Sequence, residues 1–234
     1  MKKLLKGVKL SLVTSAVVVA FSACGGGSGS TPSDLITHNG VTYKSVKSPV
    51  TGRVWLDRNI GAAEVCSSYN DVACYGDYFQ WGRNPDGHED SNSGITPTKA
   101  SSVDNVGNNL FIKGFQDWTS ADSSGAIRSA NWSKTDGSSV CPKGFRVPTI
   151  DELKAEVDGH IHNREDAFNS FLKLPSNGLR VYSTGVFMYV GAAGSYWSST
   201  PNATRSFAGY FTPSNAVGTN AFRATGAAVR CIKN

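Results

Sequence analysis

Residues 141–153 read CPKGFRVPTIDEL, and the second half of this stretch carries the clearest structural signal in the chain. Thr149 can cap a helix, and Glu152, three positions later, completes the pattern of a capping box. Apolar side chains then recur at four-residue spacing from Leu153 to Ile161, which places them on one helical face. The stretch therefore predicts an amphipathic helix that begins just after Thr149 and packs on a core.

The segments on both sides of this helix indicate short strands, turns and one further helix. Phe168 and Phe171 mark a second short amphipathic helix, which Pro175 stops. Upstream, residues 41–46 alternate apolar and polar side chains, and together with residues 54–57 they predict an early hairpin. We therefore predict the α+β class, with one domain of short strands, about two helices and long loops.

The first thirty residues have the order of an export signal. Residues 1–23 combine a basic start, a short apolar run and small residues, as a signal peptide does, and the run is shorter than the ~20 residues of a membrane span. Cys24 follows directly, so we expect a bacterial lipoprotein in which Cys24 becomes the lipid-bearing N-terminus. Residues 24–40 would then be a Gly/Ser-rich tether and residues 41–234 the folded domain. The alternative is an ordinary signal peptide cut near Ala23.

The leader also distorts the charge of the chain. Lys2, Lys3, Lys6 and Lys9 supply four of the five net positive charges, and removing them from the net +5 leaves +1 for the rest. The basic character therefore belongs mostly to the export signal, and it gives no support for nucleic-acid binding.

Four cysteines follow Cys24 along the chain: Cys66, Cys74, Cys141 and Cys231. An even number in an exported protein predicts two disulfides, although four cysteines allow three pairings. We favour Cys66–Cys74, which closes a short loop, and Cys141–Cys231, which ties the middle of the domain to its last strand. A metal site is the rival interpretation, but the spacings lack a C-x-x-C pair and no histidine lies at a usual ligand interval. No metal or other cofactor is therefore expected.

An ordered set of sequence blocks resembles the Fibrobacter succinogenes major paralogous domain family, and the resemblance spans residues 41–234. The blocks are, in chain order, GRVWLDRNIGA (52–62), YFQWGR (78–83), DW (117–118), CPKGFRVPT (141–149), LKLP (172–175), YWSST (196–200) and VRCIK (229–233). The family occurs in exported bacterial proteins, often lipoproteins. The resemblance implies a fold similar to C-type-lectin-like domains and to formylglycine-generating enzymes, and it implies no established activity.

Trp197, Ser198 and Asn202 are the candidate ligand contacts in the C-terminal half. An indole beside hydroxyl groups can stack on a sugar ring and hydrogen-bond its rim. The alternative is a tryptophan buried at a strand end, with serines that satisfy backbone groups. Residues 196–204 and 84–109 look too long and polar for simple connectors, so we expect both loops to present ligand contacts.

Other conspicuous clusters favour structural roles. Trp55, Trp81 and Trp118 are expected in the core. For residues 57–59 an ion pair with local capping is favoured over an anion or carbohydrate site. Residues 86–92 are acidic and rich in oxygen ligands but lack the spacing of a helix-loop-helix calcium site, so a solvated loop is favoured there.

The sequence contains no Gly-x-Ser-x-Gly elbow, phosphate-binding loop or His-Glu-x-x-His motif, so we do not expect an enzyme. The favoured hypothesis is a binding module held in the bacterial cell envelope by its lipid, at the outer membrane or cell surface. Its expected partner is a polysaccharide or a surface protein. One alternative is an enzyme of the sulfatase-modifying type, because Cys231 lies in an Arg-Cys block similar to that of the formylglycine generators. The other is a structural envelope protein without a discrete ligand.

Overall fold

The structure, a computed structural model, describes residues 35–234. The predicted signal peptide, the predicted acylation site at Cys24 and the first part of the predicted tether lie outside the described residues. Residues 36–38, which were predicted to belong to the tether, form a strand that pairs with the next one. The folded part of the chain therefore begins a few residues earlier than predicted.

The described residues form a mixed α/β fold with few helices and mostly antiparallel strands, in agreement with the predicted class at this level. The strands are β1 (Ile36–His38), β2 (Val41–Tyr43), β3 (Ser45–Lys47), β4 (Val54–Leu56), β5 (Phe79–Gln80), β6 (Ile95–Thr96), β7 (Phe111–Ile112), β8 (Phe145–Arg146), β9 (Leu179–Arg180), β10 (Phe187–Met188), β11 (Gly194–Asn202), β12 (Arg205–Phe211), β13 (Ala216–Phe222), β14 (Gly226–Ala227) and β15 (Ile232–Lys233). The helices are α1 (Ala126–Trp132), α2 (Ile150–Val157) and α3 (Arg164–Asn169), with a 3-10 turn at Val72–Cys74.

Helix α2 begins where the sequence predicts. The Thr149 hydroxyl accepts a hydrogen bond from the backbone N–H of Glu152, and the Glu152 carboxylate accepts one from the backbone N–H of Thr149 at 2.8 Å. The helix ends at Val157, two residues before Gly159, whose φ of 76° lies in the left-handed region. Ile161 therefore lies beyond the helix, although it packs in the same apolar cluster as Leu153.

Helix α1 is the helix that the sequence analysis does not predict. It is seven residues long, and its buried face includes Arg128 and Asn131 beside Trp132, so its apolar periodicity is weak. Its N-terminal flank is Gly125, which makes no side-chain cap and has a φ of 80°. A side chain at Gly125 would collide with Arg223 and Trp81, so close packing selects glycine where a capping residue would have marked the start.

Two sheets bring distant parts of the chain together. One four-stranded sheet has the order β3-β4-β15-β8, and in it Ile232 pairs with both Trp55 and Arg146. The last strand therefore lies between an early strand and the strand that precedes α2. The β3–β4 hairpin agrees with the predicted early hairpin. A second sheet has the order β10-β9-β14-β5 and carries residues 79–80 at its edge.

A three-stranded antiparallel sheet of β11, β12 and β13 contains the longest strands. β11 occupies residues 194–202, so the prediction of a ligand-presenting loop at 196–204 is wrong. The pairing of β11 with β12 shifts register between Trp197 and Pro201, as it does at a β-bulge. Helix α2 packs against this sheet.

Both predicted disulfides, Cys66–Cys74 and Cys141–Cys231, are present. The second bridge lies in the larger apolar cluster with Trp81 and Trp197. Two disulfides are consistent with an extracytoplasmic location. Among residues 35–234, none of the helices has the length and apolarity that a membrane span requires.

Candidate functional site

Trp197 and Ser198 belong to the core. Trp197 has no exposed surface, and its indole N–H donates to the carbonyl oxygen of Phe79 at 2.7 Å. Ser198 is equally buried, and its hydroxyl donates to the carbonyl oxygen of Phe207 at 2.7 Å. The prediction that these two side chains contact a ligand is therefore wrong. Their role is the alternative considered from the sequence, a buried indole with serines that satisfy backbone groups.

Asn202, the third predicted contact, lies at the end of β11 and is partly exposed. Its side-chain amide donates to the amide oxygen of Asn220 across the sheet at 2.6 Å. This hydrogen bond joins β11 to β13 and spans β12, the strand that lies between them. Of the three predicted contacts, Trp197 and Ser198 therefore lie in the core, and Asn202 takes part in a hydrogen bond across the sheet.

The three tryptophans that were expected in the core are all fully buried. Each indole N–H finds an acceptor: Trp55 donates to Glu156, Trp81 to the carbonyl oxygen of Ser198, and Trp118 to the carbonyl oxygen of Trp81. Because every polar end is satisfied, these rings can be buried without an unpaired donor.

Residues 57–59 also have a structural role, as predicted. Arg58 pairs with Asp57 at 3.2 Å. Asn59 is buried, and its amide oxygen accepts two hydrogen bonds from the guanidinium of Arg230, at 3.1 and 2.9 Å. This segment therefore fixes the Arg-Cys block near the C-terminus to the chain before the first disulfide.

The four cysteines in the described range are all disulfide-bonded, and Cys141 and Cys231 are buried. A sulfatase-modifying mechanism of the kind considered above needs a reactive thiol. Within residues 35–234, such a thiol would exist only after a bridge opened.

The polar loops at residues 84–109 enclose a cavity of about 430 Å³. Its walls are residues 83–86 on one side and 103–109 on the other. The volume lies within the range of small-molecule sites, which is roughly 300–1,000 Å³. Its lining is dominated by amides, carboxylates and backbone, and the amides come from Asn84, Asn105, Asn108 and Asn109.

Arg83 holds the two walls of this cavity in place. The residue is 1 % exposed, and its guanidinium donates to the carbonyl oxygens of Asn108 and Leu110, each at 2.9 Å. Its Nε donates to Asp86 at 2.8 Å. Burial lowers the pKa of Arg83, whereas Asp86 opposes that shift. The guanidinium of Arg83, which belongs to the first wall, therefore fixes that wall to the backbone of the second wall.

His88 holds the turn that follows the first wall, residues 86–92, through hydrogen bonds of both ring nitrogens. Its ring is fully buried, and Nε2 accepts the backbone N–H of Gln80 at 3.1 Å. Since that N–H can only donate, Nδ1 carries the proton, and it lies 2.8 Å from Asp86 and 3.1 Å from Glu89. Burial, the largest single cause, raises the pKa values of Asp86 and Glu89, but the surrounding hydrogen bonds and charges, the His88 hydrogen bond first among them, together outweigh burial, and both pKa values are lowered. The segment 86–92 is therefore a turn around a buried histidine. Its residues 90–92 are exposed, in agreement with the predicted solvated loop, whereas His88 departs from that prediction.

Asp86, His88 and Glu89 place three ligand-type atoms within 4.8 Å of one another. The geometry of His88 opposes a metal there. Both of its ring nitrogens are engaged, and Asp86 also neutralises Arg83. A cation would have to displace the Nδ1 proton and compete with the guanidinium of Arg83. These three side chains therefore stabilise the turn by their hydrogen bonds to one another and to the backbone.

A second, smaller cavity of about 260 Å³ lies beside this turn. Asp77 lines it together with Tyr43, Gly61 and Glu89. Burial, followed by the charges of Glu89 and Asp90, raises the pKa of Asp77 to about 7. This carboxyl therefore titrates close to neutral pH, a property that nothing in the local sequence indicated.

No family model, no curated protein and no solved structure matches this chain. Functional inference therefore rests on the cavity between residues 83–86 and 103–109. The sequence indicated this region through the length and polarity of its loops. It did not indicate Arg83, because a buried arginine that donates to distant carbonyls leaves no local pattern.

Proposed function

We propose that the chain is a lipid-anchored extracytoplasmic binding module, and that the cavity between residues 83–86 and 103–109 holds part of a polysaccharide. The observation that carries this proposal is the cavity itself, a concave space of about 430 Å³ with amide-rich walls. Amides both donate and accept hydrogen bonds, as the hydroxyl groups of a sugar do. A cavity fixed by a buried arginine is also preorganised, which lowers the entropic cost of binding.

We also propose the finer fold and family: a C-type-lectin-like domain of the Fibrobacter succinogenes major paralogous type. Few helices, two disulfides and a terminal strand inserted beside an early one support that assignment. The binding loops are then long insertions held on a compact framework.

The side chains of Asn105 and Asn109 are the best probes of the site. Both residues are exposed, and neither side chain makes a hydrogen bond within residues 35–234, so their removal leaves the walls intact. Asn108 is a poorer probe, because its side chain accepts from the backbone N–H of Leu110 and its carbonyl accepts from Arg83.

The test is binding of the purified full chain to a polysaccharide panel, with Asn105→Ala and Asn109→Ala beside it. We expect each substitution to weaken binding of the bound polysaccharide about three- to tenfold, which is the typical effect of one lost hydrogen bond, at an unchanged melting temperature. The matched control is Asn215→Ala, an exposed asparagine in the turn between β12 and β13. Equal effects of all three substitutions, or no bound polysaccharide at all, would contradict the proposal and favour a structural envelope protein.

A further inference from the structure

The cavity between residues 83–86 and 103–109 carries an excess of negative charge. Of the described residues that line it, Arg83 alone is cationic, and Asp86 pairs with it at 2.8 Å. Asp104 is the remaining charged group on the walls. Its carboxylate accepts only the side-chain amide of Asn131, at 3.3 Å, and no lysine or arginine of residues 35–234 forms an ion pair with it. The walls therefore carry one uncompensated negative charge.

Asp104 is exposed on the second wall, among the amide side chains of Asn105, Asn108 and Asn109. Its carboxylate can accept further hydrogen bonds, because Asn131 is its single partner within residues 35–234. The uncompensated charge favours a donor that is cationic.

We infer that this cavity prefers polysaccharides that carry protonated amino groups, namely glycans of hexosamine units with free amines. This inference rests on the proposed polysaccharide function. A sugar ammonium group brings three donors and one positive charge, so it matches both the hydrogen-bonding capacity and the negative charge of the Asp104 carboxylate. An N-acetylated sugar keeps the ring and the hydroxyl groups but loses the charge, and a uronic acid brings a like charge toward Asp104.

Three soluble hexamers separate these cases: a glucosamine hexamer, an N-acetylglucosamine hexamer and a galacturonic acid hexamer. We would measure their binding to the full chain by calorimetry at about pH 5.5, which keeps the sugar amines protonated. We expect the glucosamine hexamer to bind most tightly and the galacturonic acid hexamer most weakly. The preference should shrink as salt is raised, because exposed charges are screened.

Asp104→Asn tests the charge with almost no change of shape. We expect it to weaken binding of the glucosamine hexamer about three- to tenfold, the effect of one partly solvated charge, and to leave the N-acetylated hexamer within about twofold. The control is Glu64→Gln, which removes an exposed carboxylate elsewhere on the chain and should change neither value. Melting temperatures of both variants establish that they remain folded.

The possible results distinguish this inference from the proposed function. If the N-acetylated or the acidic hexamer binds more tightly than the glucosamine hexamer, or if Asp104→Asn changes nothing, the charge preference is overturned. The binding function still stands in that case, provided that Asn105→Ala weakens binding. If none of the hexamers and none of the polysaccharides binds, both proposals fail together.

Discussion

Two regions of this molecule are stabilised in different ways. The helix side, residues 150–174 with β11–β13, packs by apolar contact, and its cluster includes Leu153, Tyr196 and Phe211. The loop side, residues 80–125, has little regular structure, and buried arginines hold much of it together. The comparison shows that a segment with few strands can still have a defined conformation, provided that buried side chains donate hydrogen bonds to its carbonyl groups.

Two arginines from outside residues 80–125 hold the loop side by acting as multiple donors. Arg128 is fully buried. Its Nη1 and Nη2 donate to the two carboxylate oxygens of Asp117 at 2.6 and 2.9 Å, a bidentate ion pair, and its Nε pairs with Asp122. Arg223 donates to the carbonyl oxygens of Ser123 and Ala203, at 2.8 and 2.7 Å. Both guanidinium groups also lie over the ring of Trp81, at 5.2 and 4.9 Å from its centroid. Such groups hold several loops at once, which no single apolar contact does.

The largest effect is expected from the bridge that secures the framework common to both regions. Replacing Cys141 and Cys231 by serine should lower the free energy of unfolding by about 4–5 kcal/mol, because the bridge closes a long loop of the unfolded chain. The matched control is the Cys66–Cys74 bridge, which spans only eight residues and should cost about 2–3 kcal/mol when removed. Chemical denaturation measures both. An equal loss for the two bridges would show that strain or local packing, and not the length of the loop, determines the effect.

Arg128→Met tests the loop side directly. Removing the guanidinium leaves Asp117 and Asp122 without their main partner, and loss of one member of a buried ion pair costs about 3–5 kcal/mol. We expect limited proteolysis to open residues 80–125 before the rest of the chain.

The comparison variant is Leu153→Ala, which removes apolar contacts on the helix side and costs about 2–5 kcal/mol. It should not sensitise the loop side selectively. If both variants produce the same cleavage pattern, the two regions unfold as one unit, and the proposed difference in how they are stabilised is contradicted.

The two regions also differ in how far their sequence predicts them. The helix side carries local signals, and the capping pair Thr149 and Glu152 marks the start of α2. The prediction for Trp197 was wrong, because the local sequence, an indole followed by serines, is compatible both with an exposed ligand contact and with a buried ring whose neighbours satisfy backbone groups. On the loop side, the length of residues 84–109 indicated a ligand region. The contacts that shape it join residues far apart in sequence, such as Arg83 and Asn108, so they leave no local pattern.

Asp77, which lines a cavity next to the loop side, provides a pH-dependent test. Its pKa is raised to about 7 by burial and by Glu89 and Asp90, whereas in the unfolded chain it lies near the ordinary value of 3.8. Between these two values the Asp77 carboxyl binds a proton in the folded protein but not in the unfolded chain, so its contribution to stability must fall as pH rises. The full shift corresponds to about 4 kcal/mol, and partial solvent access reduces this to about 1–3 kcal/mol.

Asp77→Asn keeps the shape of the protonated acid and removes the titration. We expect the variant to be more stable than the parent at about pH 8 and nearly equal to it at about pH 4. Denaturation across this pH range measures the difference, with Glu64→Gln as an exposed control. A stability difference between Asp77→Asn and the parent that stays constant from about pH 4 to 8 would show that the carboxyl is better solvated than the structure indicates.

The smallest effect is expected at the capping box of α2, a contact that the sequence predicted in full. Thr149→Ala removes the hydroxyl that accepts the N–H of Glu152, and loss of such a cap costs about 1 kcal/mol. Thr149→Ser keeps the acceptor and should recover most of that stability. The loss stays small because the Glu152 carboxylate still accepts the backbone N–H of residue 149 and remains paired with Arg146 at 2.7 Å. A loss as large as that of Arg128→Met would mean that the start of α2 is also fixed by buried polar contacts, and the contrast between the two regions would then disappear.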